Sequence, residues 1–211
     1  MAFALMSAPV MASDPSPVRL GADVIYLISP GYHQFLNDAF SGVSGGYGWI
    51  GADVGLLIRM TDRFALQPKI EGYFNAVNVS QRGTSDTTNL NVMGVPALAL
   101  KTYLYQNGAM ELGLNAQIGV PMISTELPGV TMKRDGLGYA FSGSMRLKKS
   151  VDIQLGYSYY PIRVTPTQVA GTLAAAPRPA PVSFFLPPLT GLAGAKTYNF
   201  GGVFLSAGYY F

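Results

Sequence analysis

Eight stretches of this chain carry an apolar side chain at every second position, and no charged residue of theirs shares that face. A period of two marks a β-strand with one apolar side. The first stretch sets Leu20, Ala22, Val24, Tyr26 and Ile28 against Arg19 and Asp23. The second sets Ile50, Ala52, Val54, Leu56, Ile58 and Met60 against Trp49, Asp53 and Arg59. In the third, Phe64, Leu66, Ile70 and Phe74 oppose Gln67, Lys69, Glu71, Tyr73 and Asn75; in the fourth, Leu90, Val92, Leu98, Leu100 and Leu104 oppose Asn91 and Lys101. The fifth opposes Met110, Leu112, Leu114, Ile118 and Val120 to Glu111, Asn115 and Gln117. The sixth opposes Leu137, Tyr139, Phe141, Met145 and Leu147 to Ser142, Ser144, Arg146 and Lys148. The seventh opposes Val151, Ile153, Leu155, Tyr157 and Tyr159 to Asp152, Gln154 and Ser158, and the eighth runs through Val203, Leu205, Ala207, Tyr209 and Phe211.

Composition then selects the setting. Of the 211 residues 49% are hydrophobic and only 12% charged, about half the usual ~25% of soluble domains. Yet no run reaches the ~18 apolar residues of a membrane helix: residues 1–12 are too few, and four prolines break up 179–195. The remaining spanning structure is a closed β-barrel. A soluble eight-stranded barrel would be polar outside and apolar within. Here the apolar face is charge-free, which makes it the outer, lipid-facing one, with the charges inside.

The expected fold is therefore all-β: an eight-stranded antiparallel up-and-down transmembrane β-barrel, one domain over 13–211. Short connections at 61–63, 106–108 and 149–150 alternate with long ones at 29–46, 78–88, 122–136 and 162–196. That is the pattern of short periplasmic turns and long outer loops, and it leaves both termini on the periplasmic side. Tyr26, Phe74, Tyr139, Tyr157 and Tyr159 would form the outer aromatic girdle, and Phe64, Tyr209 and Phe211 the inner one. Asn107-Gly108 is a strong hairpin signal, because both residues accept positive φ. Pro68 and Pro96 should each distort a strand, because proline cannot donate to the ladder.

Residues 1–12 read as a secretory signal peptide or its remnant, an apolar h-region ending in small residues, although the first basic residue is Arg19. There is no cysteine and hence no disulfide or Cys-ligated metal, and a net charge of +3 without a basic run argues against a nucleic-acid partner.

The stripe Val203, Leu205, Ala207, Tyr209 and Phe211 resembles the last strand of bacterial outer-membrane β-barrels, which ends in a terminal Phe. With the eight-strand pattern, the resemblance covers the chain from about Pro17 and is similar to the small OmpA/OmpX-type barrels. Two shorter runs, L-S-A-G-Y-Y-F and V-P-A-L-A-L-K-T-Y-L, resemble OmpW-type barrels. The resemblance implies a location in the bacterial cell outer membrane, contact with its lipid, and recognition of the terminal stripe by the barrel assembly machinery.

Candidate chemistry is sparse. Gly46-Tyr47-Gly48-Trp49-Ile50-Gly51 matches a dinucleotide fingerprint, but an alternating strand follows where a helix is required. His33 is the single histidine; it has no second metal ligand, and only Asp38 is at hand for a Ser–His–acid set. No cofactor or metal site is expected. The informative constellation is the lumen set Asp23, Asp53, Arg59, Lys69, Glu71, Lys101, Glu111, Arg146 and Asp152. Mixed charges in a narrow, low-dielectric lumen must pair, and eight strands leave just enough interior for side chains to fill. This predicts a plugged barrel with a structural or surface-contact role and no enzymatic activity. The alternatives are a narrow porin-like channel or transporter for small or apolar solutes, as the OmpW-type resemblance implies, and a lipid-modifying enzyme. The Pro/Ala-rich fourth loop carries an apolar cluster, Phe184, Phe185, Leu186 and Leu189, read as a contact site for a protein or surface partner.

Overall fold

A computed structural model describes residues 18–40, 42–80, 87–148, 150–167, 170–171, 184–185 and 191–211. The signal-peptide segment and, in loop four, Leu186 and Leu189 lie outside them. Eight strands form the wall: β1 (Val18–Ile28), β2 (Gly48–Arg59), β3 (Phe64–Ser80), β4 (Thr87–Gln106), β5 (Met110–Gly119), β6 (Gly138–Leu147), β7 (Val151–Tyr159) and β8 (Val203–Tyr210). Each pairs antiparallel with its neighbours in sequence, and β8 pairs with β1 to close the barrel. No helix among the described residues is long and apolar enough to cross a membrane.

Alternation sets the two surfaces. Leu20, Val24, Tyr26, Ile50, Val54, Ile70, Phe74, Leu98, Leu114, Phe141, Leu155 and Leu205 point outward, each roughly half exposed, as do all the expected girdle residues. Asp23, Asp53, Glu71, Lys101, Glu111, Arg146 and Asp152 point inward and are buried.

The wall departs from regularity where its chemistry demands it. At Pro68 the β2–β3 ladder skips from the Gly55–Lys69 pair to Ile58–Leu66 without changing register. Opposite Pro96 the neighbouring strand breaks at Val120 and Pro121 and resumes as Met122–Thr125, again in register. Among the described residues the wall shifts register at Leu104, an extra residue between Tyr103 and Tyr105. The hairpin at Asn107-Gly108 is present, built without positive φ. Instead Asn107 Oδ1 accepts the amides of Ala109 and Met110 at 2.9 and 2.7 Å, a side-chain-built turn. Lys148, expected on the inner face, is exposed in the turn after β6 with φ 48°.

The described parts of the long connections carry regular structure. Strands β3 and β4 run on to Ser80 and from Thr87, so the expected loop 78–88 is short. The segment read as loop 29–46 holds a helix, α1 (Pro30–Ala39), and a short strand, Gly42–Gly45, paired with the end of β3. Ser29 caps α1 by accepting the Tyr32 amide at 3.2 Å, with Pro30 in the first turn. Beyond β6 and β7, Val130–Arg134, Pro161–Pro166 and Lys196–Asn199 form a three-stranded sheet above the wall. In loop four, Phe184–Phe185 pairs with Ala170–Gly171.

Candidate functional site

The lumen charges form a spiral. One row of opposed residues runs from Gln106 through Glu111, Arg146, Asp152, Gly208, Asp23, Asp53 and Glu71, and returns to β4 at Val95, 11 residues (106 − 95) from its start. One of those residues is the extra one at Leu104; the other ten are the shear which tilts strands in a closed barrel. All five expected lumen carboxylates lie on this row. Like charges directly opposite each other repel, so the row holds only if cations reach it.

Four do. Lys69 Nζ lies 2.7 Å from Glu71 Oε1 and 3.0 Å from Asp53 Oδ2. Lys101 Nζ reaches Asp152 with both oxygens at 2.8 and 3.0 Å. Arg146 sits 3.4 Å from Glu111 and 3.5 Å from Asp152, and Arg59 2.7 Å from Glu111. The expected residues are thus brought together except at one point: both oxygens of Asp23 are buried without a hydrogen-bond partner. Gly208 makes room for that carboxylate, since a Cβ there would stand 1.6 Å from Asp23 Oδ1.

Neutral groups extend the network. Glu71 also accepts Tyr73, Tyr160 and Gln117 at 2.9, 2.8 and 3.0 Å, while Gln154 donates to Asp152 and accepts from Asn115. At the turn end the rings of Tyr103 and Tyr210 form a floor, with the Arg59 and Arg146 guanidinium groups over them at 4.7 and 4.4 Å.

The loop-end half is different, and the sequence reading missed it. Inward positions there are mostly apolar, Ile25, Leu27, Trp49, Val77, Val79, Met93 and Val95, with Asn75, Asn89 and Asn91 buried among them. They pack against Tyr32, Phe35, Leu36 and Ala39 of α1, together with Tyr198 and Phe200. Tyr32 meets Trp49 at 4.9 Å and Phe200 at 5.0 Å between ring centroids, and its hydroxyl accepts Asn91 Nδ2 at 2.8 Å. The helix is an apolar plug seated in a mostly apolar mouth.

No protein-family model matches the chain, and no curated protein sequence matches it. Among solved structures it is similar to the outer membrane protein OprG from Pseudomonas aeruginosa, at 13% identity and TM-score 0.49, over 92% of this chain and 94% of that one. It is also similar to an outer membrane channel from Pseudomonas putida F1, at 11% identity and TM-score 0.31, over 94% and 96% of the two chains. At such distances the chemistry has to be read from this chain's own side chains.

The remaining expected sites are not assembled as one. His33 Nε2 lies 3.0 Å from Asn37 and its ring packs on Tyr47. Asp38 instead binds Lys196 Nζ at 2.8 Å and the Tyr198 hydroxyl at 2.9 Å. Those two partners hold its carboxyl below the usual carboxylate range. Val203, Leu205, Ala207, Tyr209 and Phe211 all face outward, and the Phe211 amide donates to Leu20 O at 2.9 Å.

Proposed function

We propose that this chain is an integral protein of the bacterial outer membrane whose barrel is a closed anchor, non-enzymatic, carrying contact surfaces at its loop end. The carrying observation is that the lumen is filled twice, by a buried ion-pair spiral in the turn half and by α1 in the loop half. The charge-free outward face supports the membrane setting, because soluble chains rarely expose apolar patches beyond a few hundred Å². The count of eight wall strands supports the resemblance to small outer-membrane barrels. Its partners are then membrane lipid, the barrel assembly machinery through the terminal stripe, and a protein or surface bound through loop four. Planar-bilayer recording tests the anchor: the wild-type protein gives no reproducible single-channel steps, and regular steps would overturn it. Deleting 177–189 should leave a heat-modifiable barrel and abolish adhesion or partner binding; adhesion that survives removes loop four from the reading.

One observation favours a second reading, a transporter for small or apolar solutes. With α1 displaced, the loop-end half of the lumen becomes a mostly apolar vestibule with Asn75, Asn89 and Asn91 in its wall. Disulfide-tethering α1 to the wall separates the two readings, since it abolishes uptake by a transporter and leaves an anchor unaffected.

A further inference from the structure

The three-stranded sheet above the wall has two unlike faces. Ile162, Val164, Met132 and Tyr198 are buried in the cluster that contains α1. On the other face Lys133 stands directly opposite Arg163, with Thr197 on the far side of Arg163 and a Thr131–Thr165 pair in the next row but one. All five are exposed.

Two cations directly opposite each other in neighbouring strands repel and weaken the sheet that carries them. The protein does not neutralise them. Neither cation has a side-chain partner among the described residues: Asp135, two positions from Lys133, accepts the Thr197 hydroxyl, and Asp38 is taken by Lys196. The face offers donors in excess, an ammonium, a guanidinium and hydroxyls, which is the inventory that suits a phosphate oxyanion.

Position narrows the source of that phosphate. Arg163 lies four residues (163 − 159) beyond the outward-facing Tyr159, across the buried stretch Tyr160, Pro161 and Ile162 where the wall strand gives way to the upper sheet, and its side chain is exposed again. At about 3.3 Å per residue four residues span at most about 13 Å, so Arg163 stands within that distance of Tyr159. Tyr159 stacks on Tyr139 at 5.0 Å in the loop-end aromatic girdle, and such girdles mark the boundary between hydrocarbon and headgroups. Lys and Arg stems bend back toward that boundary. The cationic face therefore continues the apolar perimeter into the layer where lipid phosphates lie.

We propose that the Lys133–Arg163 face binds the phosphate groups of outer-leaflet membrane lipid; this rests on the outer-membrane reading above. The full chain is refolded into detergent, and its retention of bisphosphorylated lipid A is compared with that of the same lipid after dephosphorylation, by native mass spectrometry. Wild type should prefer the phosphorylated lipid roughly thirtyfold, the combined effect of two basic residues at a membrane surface. Lys133→Gln/Arg163→Gln should lose that preference while still migrating as a heat-modifiable barrel. Lys148→Gln, which removes a charge at the opposite rim, should keep it. Equal preference in the double variant, or displacement of the lipid by inorganic phosphate, overturns the proposal. Insertion into phosphatidylcholine vesicles is scored in parallel. A chain that inserts without discriminating the lipids defeats the lipid site alone; one that does not insert defeats the membrane reading as well.

Discussion

Asp23 stands between Gly208 and Asp53 on the spiral row, and neither of its oxygens receives a hydrogen bond. An unpaired buried carboxylate facing another carboxylate costs stability, and an amide of the same shape removes the charge. The new amide can also donate to Asp53 Oδ1, which has no partner of its own. Asp23→Asn should therefore stabilise the barrel by about 1–3 kcal/mol, read as a higher urea midpoint in lipid vesicles; a lower midpoint means the charge is needed. Lys101 is the opposite case. Lys101→Met takes from Asp152 its closest cation, leaving it Arg146 at 3.5 Å and Gln154, and should cost about 3 kcal/mol, part of it recovered on adding Asp152→Leu. The inward set of charges was legible in the sequence, because each sits one step out of phase with its strand's apolar stripe. Which charge meets which was not legible. That depends on the shear, which local periodicity does not carry, and so the solitude of Asp23 and the space left by Gly208 could not be foreseen.

At the scale of elements, α1 is the part that sequence reading took for loop. Its signals were present: Ser29-Pro30 as cap and first residue, then Tyr32, Phe35, Leu36 and Ala39 on one helical face. They were overshadowed because the strands around them are apolar on both faces, as Ile25 and Leu27 show, and alternation fades there. The single tryptophan, Trp49, lies buried against Tyr32, so its emission reports directly on the plug. Phe35→Ala should shift that emission to the red and loosen the seat by about 3 kcal/mol. The bond from Asp38 to Lys196 and Tyr198 adds a pH term. Because folding lowers the Asp38 pKa, its contribution is present above the ordinary carboxylate value of about 3.9 and fades as pH falls through the lower folded value. Since Asp38 is well exposed, the effect is small. Acidification below about pH 4 should then redden Trp49 slightly in wild type and not in Asp38→Asn.

At the scale of the molecule, the barrel is held at its seam by backbone: the Phe211 amide donates to Leu20, while the Phe211 ring is exposed. Phe211→Ser should leave refolding in vitro within about 0.5 kcal/mol of wild type, yet lower the amount assembled in cells if the terminal stripe is read by assembly machinery. Immunoblotting of outer-membrane fractions beside a refolding titration checks both halves. Strand number and the side that faces out were legible here because lipid tolerates no exception to the charge-free face. The seam also fixes an order of events in time. Strand β1 ends at Ile28, and its second neighbour begins at Val203, 175 residues (203 − 28) later. At about 5–20 residues per second, synthesis of that stretch takes roughly 10–35 s. Throughout that interval β1 has a bare edge, ready to pair with any other chain. The barrel thus has no stable half-built form. On the outer-membrane reading, the chain has to stay unfolded until the whole of it reaches the membrane.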